Sequence, residues 1–213
     1  MVWPCASATS SSLRGIYTDI RDQAIAASER WHDASLSIEL APFPAGKGSG
    51  SARTPTTAIG ELFSVTEYTT VPKHAQRRFV CVSDRDEYIE LTQERDSTSA
   101  WFINPANGVD ASRPEAFELQ RFTVNGEERP IRRSSRKTAQ TYTASLASEH
   151  LAAVKPVTIA YTYRTLMAQN GHLLFFDIEQ PTRDLKVEFD YTGCGIAKDL
   201  DARTRALGSP DTD

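Results

Sequence analysis

Val157-Thr158-Ile159-Ala160-Tyr161-Thr162-Tyr163-Arg164-Thr165 reads as a strand with one face buried. Val157, Ile159, Tyr161 and Tyr163 fall on one side, and Thr158, Ala160, Thr162 and Arg164 on the other. That period of two is what a pleated strand half-covered by a core requires. Leu185 to Tyr191 repeats it, with Leu185, Val187, Phe189 and Tyr191 set against Lys186, Glu188, Asp190 and Thr192. Between them, His172 to Glu179 carries Leu173-Leu174-Phe175-Phe176-Asp177-Ile178, apolar on both faces, as expected of a strand covered on both sides. Breaks holding Asn170-Gly171 and Pro181 separate the runs, so the spacing predicts an antiparallel meander.

Outward from this stretch, further strand-length runs occur at Leu36 to Leu40, Leu62 to Val71, Arg78 to Val82, Glu87 to Thr92, Ala100 to Ile103, Phe117 to Val124 and Gln140 to Leu146. Turn-forming residues lie between them, among them Pro72, Asn104-Pro105, Pro114 and Pro130, a rhythm that marks a sandwich or barrel. Asn125-Gly126 signals a hairpin. Its return arm, Glu127 to Lys137, is too polar for a central strand and is placed at an edge or in a projecting loop. Ala147 to Val154 can form a turn of helix that ends before Pro156.

The N-terminal part differs. Residues 1–12 are polar and serine-rich and are expected to be disordered. Leu13, Ile16, Tyr17, Ile20, Ala24, Ala27 and Trp31 recur at spacings of three and four, predicting an amphipathic helix over 13–33 with Ser12 as its cap. That helix is expected to lie on the core or to reach a partner, including a second copy of the chain. A strand at 34–41, a flexible Gly/Pro/Ser loop at 42–57, a β domain at 58–197 and a polar, disordered tail at 198–213 complete the expected organisation. The expected fold class is therefore mainly β: an antiparallel β-sandwich of Greek-key or immunoglobulin-like type with an N-terminal amphipathic helix, a closed β-barrel being the second choice.

Composition narrows the function classes. The 213 residues suffice for one large domain, and a net charge of -4 gives no global attraction to nucleic acid or to an anionic membrane. No apolar run reaches the roughly 20 residues needed to cross a bilayer, so no membrane partner is expected. Residues 1–12 lack the cationic start and apolar stretch of a secretory signal. Cys5, Cys81 and Cys194 are three, widely spaced and without a C-x-x-C pair, which fits reduced thiols in a cytoplasmic protein. A composition rich in Ala, Arg and Thr and poor in Lys fits a GC-rich bacterial or phage genome.

Four groups of residues can carry chemistry. Arg129, Arg132, Arg133 and Arg136, with Lys137, Ser134 and Ser135, could clamp a phosphate through paired guanidinium contacts, or could simply guard a sheet edge against aggregation. Trp101, at a strand end before Asn104-Pro105, could be a platform for a sugar, a base or a peptide, or a core residue. Arg164 and Arg183, with Asp177 and Asp190, could form a polar layer on the open face of the meander. His172 with Cys194 or Asp177 is a hydrolytic constellation the sequence permits; no nucleophile elbow accompanies it, and such an enzyme would need a positioned base and an orienting group.

The remaining motifs point away from ligands. Asp84, Asp86, Glu87, Glu90, Glu94 and Asp96 lack the glycine turn of a calcium loop and are interleaved with Arg85 and Arg95, so they read as a solvated turn. His32, His74, His150 and His172 are not spaced as zinc ligands. Gly46-Lys47-Gly48-Ser49-Gly50 lacks the first glycine of a phosphate loop. No cofactor and no metal are expected. The sequence therefore supports a non-catalytic recognition or sensing module that binds a protein or a small ligand through a sheet face or loop ends. Nucleotide or nucleic-acid binding through residues 129–137 is the alternative, followed by a hydrolase or a virion or assembly subunit.

Overall fold

A computed structural model describes residues 27–42, 59–94, 97–168 and 180–194, together with Ile25 and Ile178. Among the described residues, eleven strands are arranged in two sheets. The strands are β1 (Trp31–Pro42), β2 (Ile59–Thr70), β3 (Gln76–Val82), β4 (Thr98–Phe102), β5 (Phe117–Val124), β6 (Glu127–Glu128), β7 (Ile131–Arg136), β8 (Ala139–Ser145), β9 (Val157–Ala168), β10 (Thr182–Arg183) and β11 (Lys186–Asp190). Among the described residues, two short helices lie between strands, α1 (Arg85–Leu91) and α2 (Ser148–Ala153). The large, seven-stranded sheet runs β10-β1-β2-β9-β5-β6, with β11 also paired to β1, and the small one runs β4-β3-β8-β7.

Strand periodicity sets the core. Over its whole length β9 pairs antiparallel with β2, and the register places Leu62, Thr66 and Tyr68 opposite Thr165, Tyr161 and Ile159, so both strands turn the same face inward. On that face Val157, Ile159 and Tyr161 meet Phe79 and Cys81 of β3 and Tyr142 and Ala144 of β8 in one buried cluster joining the two sheets. Aromatic rings bridge the gap: Phe79 lies 4.9 Å from Tyr161, and Phe117 of β5 lies 5.7 Å from Tyr142. These edge-on contacts add to the area that the rings bury. The outer face of the small sheet, Val80, Val82 and Ala139, is covered by Leu91 and Tyr88 of α1.

Turns and caps are chemically specified. Asn125 and Gly126 adopt positive φ values of 52° and 80°, the left-handed pair that a two-residue hairpin between β5 and β6 needs. The Asp84 carboxylate accepts the amides of Asp86 and Glu87 and so starts α1. In β1 the register shifts between His32 and Ser35, with Asp33 at a φ of 50°, and the extra residue allows Trp31 and Ala34 both to face the core. Trp31 then stacks on Tyr68 with ring centroids 4.0 Å apart. Just before it, the buried Glu29 carboxylate pairs with the Arg77 guanidinium and accepts the Lys73 amide at 2.7 Å.

The result is a mainly β, two-sheet sandwich, with several departures from the sequence expectation. Both sheets are mixed and not purely antiparallel, because β3 pairs with β4, and β1 with β10 and β11, in parallel. The parallel β3–β4 pair requires a crossover, and α1 provides it. The sheets are not closed into a barrel. These pairings establish a sandwich without establishing a Greek-key or immunoglobulin-like strand order.

The expected meander is corrected as well. β9 and β11 lie in the same sheet but are separated by β2 and β1, since β9 found its longest match in β2, far upstream. The middle run, His172 to Glu179, lies outside the described residues except for Ile178. Glu87 to Thr92 is helical, not extended, because Asp84 caps it and Tyr88 and Leu91, three residues apart, share the face that covers the small sheet. Trp31 to Asp33, assigned to the end of the N-terminal helix, belong to β1. Most of that helix, the serine-rich start, the loop at 43–57 with Gly46-Lys47-Gly48-Ser49-Gly50, and the tail at 198–213 lie outside the described residues.

Candidate functional site: a cleft beside the edge of the small sheet

The two sheets differ in width, and the difference creates a concavity. Beyond β4, the edge of the four-stranded sheet, the large sheet continues through β1 to β10 and β11. A cleft of about 350 Å³ opens there, lined by Trp31, Leu36 and Ile38 of β1, Leu62 and Thr66 of β2, Tyr161, Tyr163, Thr165 and Met167 of β9, and Ala100, Trp101 and Phe102 of β4. Each element supplies these side chains by its period: the inward residues of β1, β2 and β9 form the floor, and the edge of β4 forms the wall.

Rigid packing holds the wall. Trp101 lies with its ring centroid 4.3 Å from that of Phe117 and 4.9 Å from that of Tyr163, and it stacks more loosely on Phe79. On the opposite side Trp31 is fixed by the stack on Tyr68 and by its backbone amide, which donates to the Pro181 carbonyl at 2.9 Å. No charged side chain is among the described residues that line the cleft. Its polar groups are hydroxyls, chiefly those of Ser35, Thr66, Tyr161 and Tyr163, and Thr165, whose hydroxyl donates to the Ala116 carbonyl. The Trp31 indole N–H is buried with no acceptor among the described residues. The apolar floor continues past the cleft, because Val187 and Phe189 of β11 sit in register with Leu36 and Ile38 and remain exposed.

Of the described candidate residues singled out from the sequence, Trp101 is the one placed in this cleft. The arginines of the basic arm are dispersed. β7 is an edge strand on which Arg132 and Arg136 share one face and Arg133 the other. Arg133 donates to the Gln140 side chain at 3.1 Å and to the Ser112 carbonyl at 2.7 Å, and it lies over the Tyr142 ring. Arg136 pairs with Glu87 of α1, and Arg129 with Glu127 at 3.2 Å and with His150 at 3.3 Å. Only Arg132 lacks a partner among the described residues.

The other described candidates do not converge either. Arg164 is held between Glu61 at 2.6 Å and Glu118 at 3.4 Å on the outer face of the large sheet, and it donates to the Pro114 carbonyl. Arg183 pairs with its neighbour Asp184 at 3.1 Å. Asp190 accepts the amide and hydroxyl of Thr192, hydrogen bonds that hold its carboxyl below the usual range. Cys194 ends a short turn, Thr192–Cys194. His172 and Asp177 lie outside the described residues. Among the described residues, no three or more His, Cys, Asp or Glu side chains are grouped as metal ligands would be.

The sequence reading missed Trp31, Leu36, Leu62, Tyr163 and Met167 as cleft residues. Their alternation marks an inward face, and no pattern within one strand tells which inward residues the second sheet leaves uncovered. Comparison of the chain with protein-family models, with curated proteins and with solved structures gave no match.

Proposed function

We propose that the protein is a non-catalytic recognition module whose ligand occupies the cleft beside β4. The observation that carries this reading is a concavity of about 350 Å³ with rigid aromatic walls and, among the described residues, no charged lining side chain, formed where the large sheet outruns the small one. Ligand sites are concave and mostly apolar with a few polar groups, and this volume falls at the lower end of their range. Fold alone would not support the reading, since sandwiches serve many functions. The basic arm is weaker ground for it, because Arg129, Arg133 and Arg136 are each already engaged within the chain.

Binding is tested by a thermal-shift screen of small molecules and short peptides, repeated by tryptophan emission on a Trp3→Phe variant. That variant leaves Trp31 and Trp101, which both line the cleft, as the only indoles. A ligand of the cleft raises the melting temperature and shifts the emission together. Stabilising compounds that leave the emission unchanged would place the site elsewhere on the molecule and overturn the assignment.

A further inference from the structure

We propose that the protein forms a two-fold dimer through β11, which adds to β11 of a second copy as an antiparallel strand and joins the two large sheets into one. The inference goes beyond the cleft reading and does not depend on it. β11 pairs with β1 on one side and, among the described residues, with no strand on the other. Its outer row of backbone N–H and C=O groups is therefore a template for a further strand. Residues 184–190 are all exposed, Val187 at 41% and Phe189 at 42%. Leu185, just before the strand, is 43% exposed and borders the cleft, so it continues the same apolar face. The other exposed large apolar residues among those described, Ile25, Val65, Ile89 and Val154, are scattered one to a segment, as on any protein surface. Three in a row on one edge strand call for a partner.

The occupant is fixed by what β11 complements. Centred on Val187, an antiparallel copy places Val187 opposite Val187, Leu185 opposite Phe189 and Lys186 opposite Glu188. Opposed side chains in such a pair lie about 4.5–5.5 Å apart at Cβ, close enough for apolar contact and for ion pairs. Each half of the strand thus matches the other half of its copy, as a two-fold interface demands. Lys186 and Glu188 meet within one strand at 2.7 Å, so trading those contacts for cross-strand ones leaves neither charge unpaired. The register centred on Glu188 is worse. It sets Glu188 against itself and offers Lys186 only Asp190, whose carboxylate already accepts the amide and hydroxyl of Thr192.

With the two-fold axis normal to the sheet, both apolar faces point the same way, and the two stripes merge beside Leu36 and Ile38 of each copy. The remaining sheet edges are less suited. β6 and β10 are two residues long, β4 is half-buried along the cleft, and β7 would bring arginines against arginines at Arg132, Arg133 and Arg136.

Sedimentation velocity of the whole chain at concentrations up to about 1 mM should show a reversible monomer–dimer equilibrium. Hydrogen exchange at the two ends of that range should show the amides of residues 186–190 gaining protection as the dimer forms. Lys186→Glu and Glu188→Lys each turn both cross-strand ion pairs into like-charge pairs, and each should weaken self-association about tenfold. An equimolar mixture of the two variants should restore it, because every charge pair across the seam is again opposite in sign. Mixing cannot repair the contact within a strand, so the rescue reports the interface alone. Circular dichroism checks that both variants fold; should either fail, the exchange data on the unmodified chain still decide. A monomer throughout, a dimer whose added protection lies outside residues 186–190, or a mixture no more associated than either variant alone would each overturn the proposal.

Discussion

Trp101 on β4 and Tyr163 on β9 meet across the gap between the sheets, their ring centroids 4.9 Å apart and their planes inclined at 60°. The pair belongs to two structures at once. Both rings pack against the central cluster, and both line the cleft. A site that shares its wall with the core is preorganised at no extra cost, because the packing that stabilises the sandwich also fixes the rotamers a ligand would meet. It also means that stability and binding respond together to substitutions there.

Trp101→Ala should therefore destabilise the fold by about 3 kcal/mol, the lower end for a large aromatic cut back in a core, because the ring is only partly buried. Trp101→Phe should recover more than half of that by keeping a ring against Phe117 and Tyr163. Urea unfolding of the two variants measures both. A loss below about 1 kcal/mol for the alanine variant would mean that the indole is not packed as described.

How much of this was legible in the sequence depends on the scale of interaction that decides each feature. β5, at Phe117–Val124, matches its run residue for residue, because Asn125-Gly126 closes one end, although a bulge between Leu119 and Arg121 shifts its alternation. Strand pairing is not local. The faces of β9 and β11 were readable from their periods, yet nothing in either run tells that β9 pairs with β2 and that β11 runs parallel to β1. Sequential strands are neighbours only about two-thirds of the time. Glu87 to Thr92 was misread because Tyr88, Ile89 and Leu91 suit a strand as well as a helix. The deciding signal lay before the run and at its first residue, in Asp84 as a cap and Asp86 and Glu87 in the first turn. Trp31 continued the helical spacing from Ala27, and a bulge at Asp33 hid the strand alternation that begins at Trp31. The cleft was illegible because it arises from the unequal widths of two sheets.

Glu29 and Arg77 form a buried ion pair that ties the segment before β1 to β3. Burial opposes the guanidinium charge, and Tyr68 and Glu29 more than offset that, so the Arg77 pKa is raised and the residue stays charged. Glu29→Ala should cost about 3 kcal/mol, because it removes the carboxylate partner of a buried charge. The Lys73 amide, which donates to the same carboxylate, should lose hydrogen-exchange protection in this variant. The double variant Glu29→Ala, Arg77→Ala should be less destabilised than the sum of the single changes. Additivity would show that the pair is not coupled.

Asp84→Ala should reduce stability by about 1 kcal/mol through loss of the cap on α1, and Asp84→Ser should cost only a few tenths. Because Leu91 of α1 covers Val80 and Val82, the loss should appear in global unfolding and not only as fraying of the helix. Equal stability of the alanine and serine variants would assign the helix start to packing alone.

Cys81 is fully buried on β3, and burial pushes its thiol pKa from an ordinary 9.0 up to about 12, against a smaller opposing hydrogen bond from Gln140. Two consequences are measurable. In the folded protein at pH 8, iodoacetamide should leave Cys81 unmodified by peptide mass spectrometry, and alkylation should require unfolding. The second is a pH dependence whose sign follows from proton counts. Between about pH 9 and 12 the unfolded chain has lost the thiol proton and the folded chain has kept it, so the unfolded state binds fewer protons and stability falls as pH rises. Other groups titrate in this range, and subtracting the curve of a Cys81→Ala variant cancels them. The stability difference between the parent and that variant should move against the parent by about 1.4 kcal/mol from pH 8 to pH 10, the amount set by ionisation of a thiol of pKa 9 in the unfolded chain alone. A constant difference over that interval would mean that the thiol ionises as readily in the fold as outside it, and that Cys81 is reached by solvent.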